Sequence, residues 1–312
     1  MRIAVIGAGA IGGFYGARLA ASGQDVVFIA RGATLSALTT NGLRLTGAED
    51  LTLAVQTTDD PTEVGPVDVV LMCTKTFQVA DAAASCLPAL VGPDTLVVTT
   101  QNGLQAPFVL ADAIGREHVG PGLCRVWTKI AEPGVIDLMG GPQSLVVGTW
   151  DNSVTPTLAA FRQALRDAGV ETVDTADIWT ALWTKVIHVV PEGAVGALLD
   201  APLGELLGRH LAIFRRCIQE AVAVGRAHGA AFPGDIVDQT LGFLSSQDPA
   251  STTSFQRDIT AGRPSELEAQ VGALPGLGDE VGVDTPVCDV IAETLRVRAE
   301  RDAAAREVRT AG

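Results

Sequence analysis

Lysine is scarce in this chain: Lys75, Lys129 and Lys185 stand beside nineteen arginines among 22 basic residues. Against 36 acidic residues, this leaves a net charge of −14. Such a deficit of positive charge argues against nucleic acid or an anionic membrane as the main partner. It does not argue against a phosphate, which a few backbone N–H groups can bind inside an acidic protein. Cysteine is sparse and odd in number (Cys73, Cys86, Cys124, Cys217 and Cys288), no two form a CxxC, and the four histidines do not cluster with them. These absences argue against a disulfide framework and a structural metal site, and point to a reducing cytoplasm. No segment is expected to reach the unbroken apolar length of a membrane span. The Ala-rich opening could pass for a signal peptide, but Gly7, Gly9, Gly12 and Gly13 punctuate it.

What is present builds cores. Of 312 residues, 47% are hydrophobic and 19% charged, and the length suits two domains. Residues 2–7 and 25–30 read as buried strands flanking a helix at 10–22. Residues 43–56 read as a hairpin, 67–73 and 95–100 as further buried strands, and 80–90 as a helix. Short apolar strands alternating with helices predict a mostly parallel sheet covered on both faces. Residues 119–150 look β-like and irregular, with a turn at Pro133-Gly134. Beyond about residue 175 helices dominate, over 178–199, 203–228, 235–244, 265–274 and 285–309. The expected fold is α/β: an N-terminal Rossmann-type doubly wound domain over 1–174, then an all-helical domain over 175–312.

Gly7-Ala8-Gly9-Ala10-Ile11-Gly12 fits GxGxxG between a strand and a helix, the context that makes the motif a dinucleotide fingerprint. Gly7 permits the tight turn, Gly9 lets a pyrophosphate approach the backbone, and Gly12 lets helix and strand pack closely. Ala10 and Ile11 open the helix whose N–H groups would face the phosphates. NAD binders place an acid at the end of the second strand for the ribose 2′-OH. Here that strand ends Ala30-Arg31-Gly32, and Arg31 can pair with a 2′-phosphate, which selects NADPH.

These residues, taken with four later motifs, resemble the ketopantoate reductase (2-dehydropantoate 2-reductase) family from Met1 to about Leu295. Cys73-Thr74-Lys75-Thr76-Phe77-Gln78 resembles its Lys-Thr-x-x-Gln strand end, one residue shorter. Gln101-Asn102-Gly103 resembles its Gln-Asn-Gly loop, and Trp183-Thr184-Lys185 its catalytic-lysine motif. Ser254 to Asp258, followed by Gly262-Arg263-Pro264-Ser265-Glu266, resembles its Ser and Arg-x-x-Glu elements. The resemblance implies hydride transfer from NADPH to a 2-keto group, with Lys75, Asn102 and Glu266 near the cofactor and Lys185, Asn102 and Ser254 on substrate. It also implies a small-molecule carbonyl substrate; a homodimer through the helical domain is a further expectation.

The chemistry is also arguable from the residues. Hydride attack builds charge on the ketone oxygen, which a cation can stabilise and protonate. Lys185 sits among Leu182, Trp183, Val186 and Ile187, a setting expected to bury its stem and lower its pKa; a snorkelling surface lysine gives the same pattern. Glu266 could hold Lys185 and the substrate hydroxyl, or be an ordinary acid in the first turn of a helix. Asn102 could bond the cofactor or the substrate, or serve only as a turn residue before Gly103.

The pattern breaks in one place. The family's lysine helix carries asparagines four and eight residues after the lysine, where this chain has Val189 and Gly193. Each lost partner costs roughly 1–3 kcal/mol, together about two powers of ten in use of ketopantoate unless other groups compensate. His188 and Glu192 are the polar side chains nearby. Three readings follow: a ketopantoate reductase with a compensated pocket, a reductase of a less polar carbonyl or imine, and a non-catalytic NADPH sensor.

Overall fold

The structure, a computed structural model, describes residues 1–311, with side chains through residue 306. In chain order the first part runs β1 (Arg2–Ile6), α1 (Ala10–Ala21), β2 (Asp25–Ile29), α2 (Gly32–Asn41), β3 (Leu43–Gly47), β4 (Leu51–Leu53), β5 (Gln56–Thr58) and β6 (Val67–Met72). It continues with α3 (Val79–Leu90), β7 (Val91–Thr99), α4 (Gln105–Ile114), β8 (Val119–Gly120), β9 (Gly122–Glu132), β10 (Val135–Val147) and α5 (Pro156–Asp167). The second part is α6 (Ile178–Leu199), α7 (Leu203–Leu207), α8 (Leu211–Ala227), α9 (Ile236–Ser245), α10 (Ser254–Thr260), α11 (Ala273–Val281) and α12 (Pro286–Ala311). Contacts divide the chain into two compact units. One holds residues 1–101 and 105–178; the other holds 102–104 and the residues from 179 onward.

In the first unit six parallel strands lie in the order β5-β2-β1-β6-β7-β8. Consecutive residues of β1 serve opposite faces. Ile3 and Val5 join Phe14, Phe28, Leu71 and Phe161 on one side, whereas Ala4 and Ile6 join Val70, Leu87, Leu90 and Leu110 on the other. Burial on both faces is why these strands read as unbroken apolar runs.

A second sheet, β4-β3-β10-β9, joins the 43–56 hairpin to two long strands from the segment that reads as β-like and irregular. β9 and β10 form a hairpin at Pro133-Gly134, and four residues, Met139 to Pro142, bulge opposite Trp127. The expected hairpin at 43–56 is β3 with β4; β5 leaves it to extend the large sheet beside β2. Helix α1 lies between the sheets and is thinned to fit. A Cβ on Gly13 would sit 2.7 Å from Ile136, and one on Gly16 would overlap the Phe28 ring.

The second unit is helical, with α8 central. Phe214, Cys217, Ile218, Ala221 and Val224 are buried there, against α7, α9, α11 and α12. Three expectations need correction. The helix foreseen over 203–228 is broken between α7 and α8, where Gly208 leaves helical geometry. Residues 267–272 form turns and α11 starts only at Ala273, so Glu266 precedes any helix rather than occupying a first helical turn. Finally, α6 is by length and composition apolar enough to cross a membrane, contrary to the expectation that no segment would be; 67% of its most apolar stretch is buried within the protein.

Candidate active site

The first group of functional candidates gathers where parallel strands end, the usual ligand edge of such sheets. β1 stops at Ile6 and the chain turns at Gly7, whose φ of +94° suits only glycine. A Cβ there would lie 3.0 Å from the Cys73 carbonyl carbon. A Cβ on Gly12 would overlap the Gly7 carbonyl oxygen, so the turn closes only because both positions are bare. Gly9 caps α1 without a side chain, and a Cβ on it would lie in open van der Waals contact with Ile130 alone. The N–H groups of Ala10, Ile11 and Gly12 belong to the first turn and have no carbonyl behind them in the helix. Bare backbone, outward N–H groups and the positive end of the helix dipole make an anion cradle.

Arg31 lies two residues beyond the end of β2, is exposed, and caps α2 without a side-chain bond. Lys75 follows β6, and its N–H donates to the Gln78 side chain at 3.3 Å. Gln101 ties this edge together, its amide donating to the carbonyls of Met72 (2.9 Å) and Thr74 (2.8 Å). Sequence reading cited Gln101 only as part of a motif; its buried side chain fastens the ends of β6 and β7. Beneath the glycine turn, burial pushes the Cys73 thiol up to about 12, with the Thr100 hydrogen bond opposing. That sulfur stays protonated and inert.

The second group lies in the helical unit. Asn102 is half-buried, and the loop it opens packs on the turn after Glu266: Gly103, at φ +86°, has no room for a Cβ against the Ala269 carbonyl oxygen. Glu266 is buried, and the Gln270 amide donates to its carboxylate at 3.4 Å. The structure thus brings Asn102 and Glu266 onto touching segments.

Helix α6 is buried around most of its girth by Leu182, Trp183, Val186, Ile187, Val190 and Val195. One half-exposed stripe runs along it: Ala181, Thr184, Lys185, His188, Val189 and Glu192. Lys185, His188 and Val189 are therefore neighbours. His188 also stacks on Phe243 at 4.8 Å between ring centres. Burial raises the Glu192 carboxyl to about 7, against the opposing pull of Arg257. Sequence reading noted Glu192 only as a nearby polar group, because helix phase and burial are what distinguish it. Gly193, beside the stripe, is buried under α10; a Cβ on it would lie 2.7 Å from the Thr253 hydroxyl and 3.0 Å from Phe255. Ser254 is exposed at the first turn of α10, and the capping bond there is made by Thr253.

Comparison with known proteins fits this arrangement. Residues 3–152 match the family model "Ketopantoate reductase PanE/ApbA", and residues 177–299 match its C-terminal counterpart. A 2-dehydropantoate 2-reductase of Caulobacter vibrioides is 34% identical over 301 residues, covering 95% of this chain and 99% of that protein. Among solved structures, 2-dehydropantoate 2-reductase from Geobacter metallireducens superposes with a TM-score of 0.87 at 31% identity, covering 95% of this chain and 99% of that one. The PanE/ApbA family ketopantoate reductase from Ralstonia eutropha gives 0.87 at 30% identity, covering 97% and 100%. D-mandelate dehydrogenase solved with NADH shares the fold, with a TM-score of 0.85 at 21% identity. With both halves matched in order and relatives aligned nearly end to end, the chain belongs to the ketopantoate reductase family of oxidoreductases.

Proposed function

We propose that this chain is an NADPH-dependent reductase converting 2-dehydropantoate to pantoate. The reading assigns cofactor binding to residues 1–174 and substrate chemistry to 175–312. Its carrying observation is Lys185, an ammonium on the open stripe of an otherwise buried apolar helix. The family membership and the relatives' names support the same reaction.

A dinucleotide fits the residues present. The backbone of Gly7, Gly9, Ala10, Ile11 and Gly12 would cradle its pyrophosphate, on a tight turn that a Cβ at Gly7 or Gly12 would force open against the protein's own atoms. Arg31 would pair with the 2′-phosphate and so prefer NADPH to NADH; Lys75, Asn102 and Glu266 would complete the cofactor contacts. When bound, NADPH supplies the hydride. Lys185 holds the ketone oxygen, stabilises the charge that develops there and delivers the proton that makes it a hydroxyl. Glu266 orients Lys185 and accepts from the new hydroxyl. Asn102 and Ser254 hold the substrate's polar groups, with His188 and Val189 lining its path. The five free thiols fit a cytoplasmic setting, and exposed Phe243, Val290 and Val297 on helices fit a homodimer through this unit.

A second reading is favoured by Val189 and Gly193, which offer no hydrogen bond: a less polar carbonyl or imine substrate on the same scaffold. Following NADPH oxidation with ketopantoate, other 2-keto acids, ketones and cyclic imines separates the two. We expect turnover of ketopantoate, reduced about 100-fold or more in Lys185→Ala. Silence on ketopantoate with Lys185-dependent turnover of another compound would replace the first reading by the second.

A further inference from the structure

We infer that Glu192 is a specificity-determining residue, accepting a hydrogen bond from a terminal hydroxyl of a 2-keto acid whose carbonyl lies at Lys185 and whose branched apolar middle lies on Val189. The inference rests on the proposed role of Lys185 and adds which end groups the substrate must carry.

The geometry comes from α6 alone. Seven residues separate Lys185 from Glu192, close to two full turns, so both project from one face. Both belong to the half-exposed stripe, and Val189 lies between them on it. Seven residues rise on the order of 10 Å along the axis. That span suits a four-carbon chain hydrogen-bonded at each end. The stripe therefore reads cation, apolar branch, carboxylate. Ketopantoate has the complementary order: a 2-oxo acid, a carbon bearing two methyls and a terminal hydroxyl.

The Glu192 carboxylate has capacity to accept. No described residue donates a hydrogen bond to it. Arg257, the charged group that acts on it from α10, donates instead to the carbonyl and hydroxyl of Thr252. Lys185 and His188 are the other titratable groups of the stripe. Position 193 offers no alternative partner, since Thr253 and Phe255 fill the space that a side chain would need. The site thus supplies by one carboxylate what amides at 189 and 193 do not supply.

The test compares kcat/KM for ketopantoate and for 3,3-dimethyl-2-oxobutanoate, which has the same carbonyl and methyls but no hydroxyl. The ratio isolates the hydroxyl and cancels effects on Lys185 common to both. We expect the wild-type ratio to favour ketopantoate roughly 10- to 100-fold, the range of a hydrogen bond to a charged group. Glu192→Leu should collapse it towards one, and Glu192→Gln, which can still accept, should keep part of it. A second readout needs no folded Leu variant: in the wild type the ratio should fall as pH drops from 8 to 6 and the carboxylate is protonated, and in Glu192→Gln it should stay flat. A wild-type ratio near one, or a ratio unmoved by Glu192→Leu and by pH, overturns the inference and leaves the Lys185 reading standing. Turnover of neither compound by the wild type overturns both.

Discussion

A half-buried carboxyl and a bare backbone turn do opposite things to charge, and each has a measurable signature. Glu192 is raised from 4.5 to about 7, chiefly by burial. The folded protein therefore holds that proton more tightly than the unfolded chain. Its contribution to stability is fully present below pH 4.5 and is lost as pH rises through 7, by up to about 3 kcal/mol. Urea unfolding of wild type and Glu192→Gln across pH 4–8 should show this slope in the first and not in the second. Equal slopes would mean that the carboxyl is better hydrated than its position implies. At the glycine turn, Gly12→Ala forces a methyl against the Gly7 carbonyl. The turn must open, at about 1–3 kcal/mol, and NADPH affinity should fall with it. Arg31→Ala leaves the turn intact, so it should lower NADPH affinity and the NADPH/NADH preference while leaving NADH affinity near that of the wild type. Titration of both cofactors by fluorescence separates a lost cradle from a lost 2′-phosphate contact; an unchanged preference in Arg31→Ala would remove Arg31 from the site.

Elements differ in how openly the sequence announces them, and the difference is physical. β1, β2 and β6 are covered on both faces, so each is a plain apolar run. Helix α2 was not foreseen because only Leu38 on it is buried, and a helix with one core residue has no readable stripe. α5 was also missed, although Thr155-Pro156 starts it with a side-chain cap and proline at the first turn. The glycine cradle was legible because two of its demands are local: Gly7 turns at a positive φ and Gly12 must clear the Gly7 carbonyl oxygen, although the distant Cys73 also crowds both positions. The need for Gly193 was not, because the atoms excluding a side chain there, on Thr253 and Phe255, are sixty residues away. α12 shows the same non-local logic: its start is held by Glu220 of α8, whose buried carboxylate accepts from Val287 N–H (3.1 Å) and Cys288 N–H (2.9 Å). Glu220→Leu should cost about 1–3 kcal/mol by stranding those donors, and hydrogen exchange at Val287 and Cys288 should rise. Protection equal to wild type would show that the helix start holds without the carboxylate.

Across the whole molecule the shortage of lysine becomes an experimental handle. An amine-directed reagent meets three side chains. Lys75 is exposed, Lys129 is largely exposed and paired with Asp137 at 3.1 Å, and Lys185 is half-buried on α6. Reductive methylation mapped by mass spectrometry therefore reports nearly single sites on a protein of 312 residues. If Lys185 holds the substrate's oxygen, pantoate with NADP⁺ should slow its methylation at least several-fold. Lys129 should react at an unchanged rate, since its strand position and ion pair have no part in the proposed chemistry. Lys75 gives a graded control: contact with the cofactor predicts protection by NADP⁺ alone, before pantoate is added. The order of protection, Lys75 with cofactor and Lys185 only with both, tests the two assignments separately without mutating either residue. Protection of Lys185 by NADP⁺ alone would place that amine against the cofactor rather than the substrate. Indifference of Lys185 to both ligands would remove it from the reaction and leave the cradle as a binding site for a different chemistry.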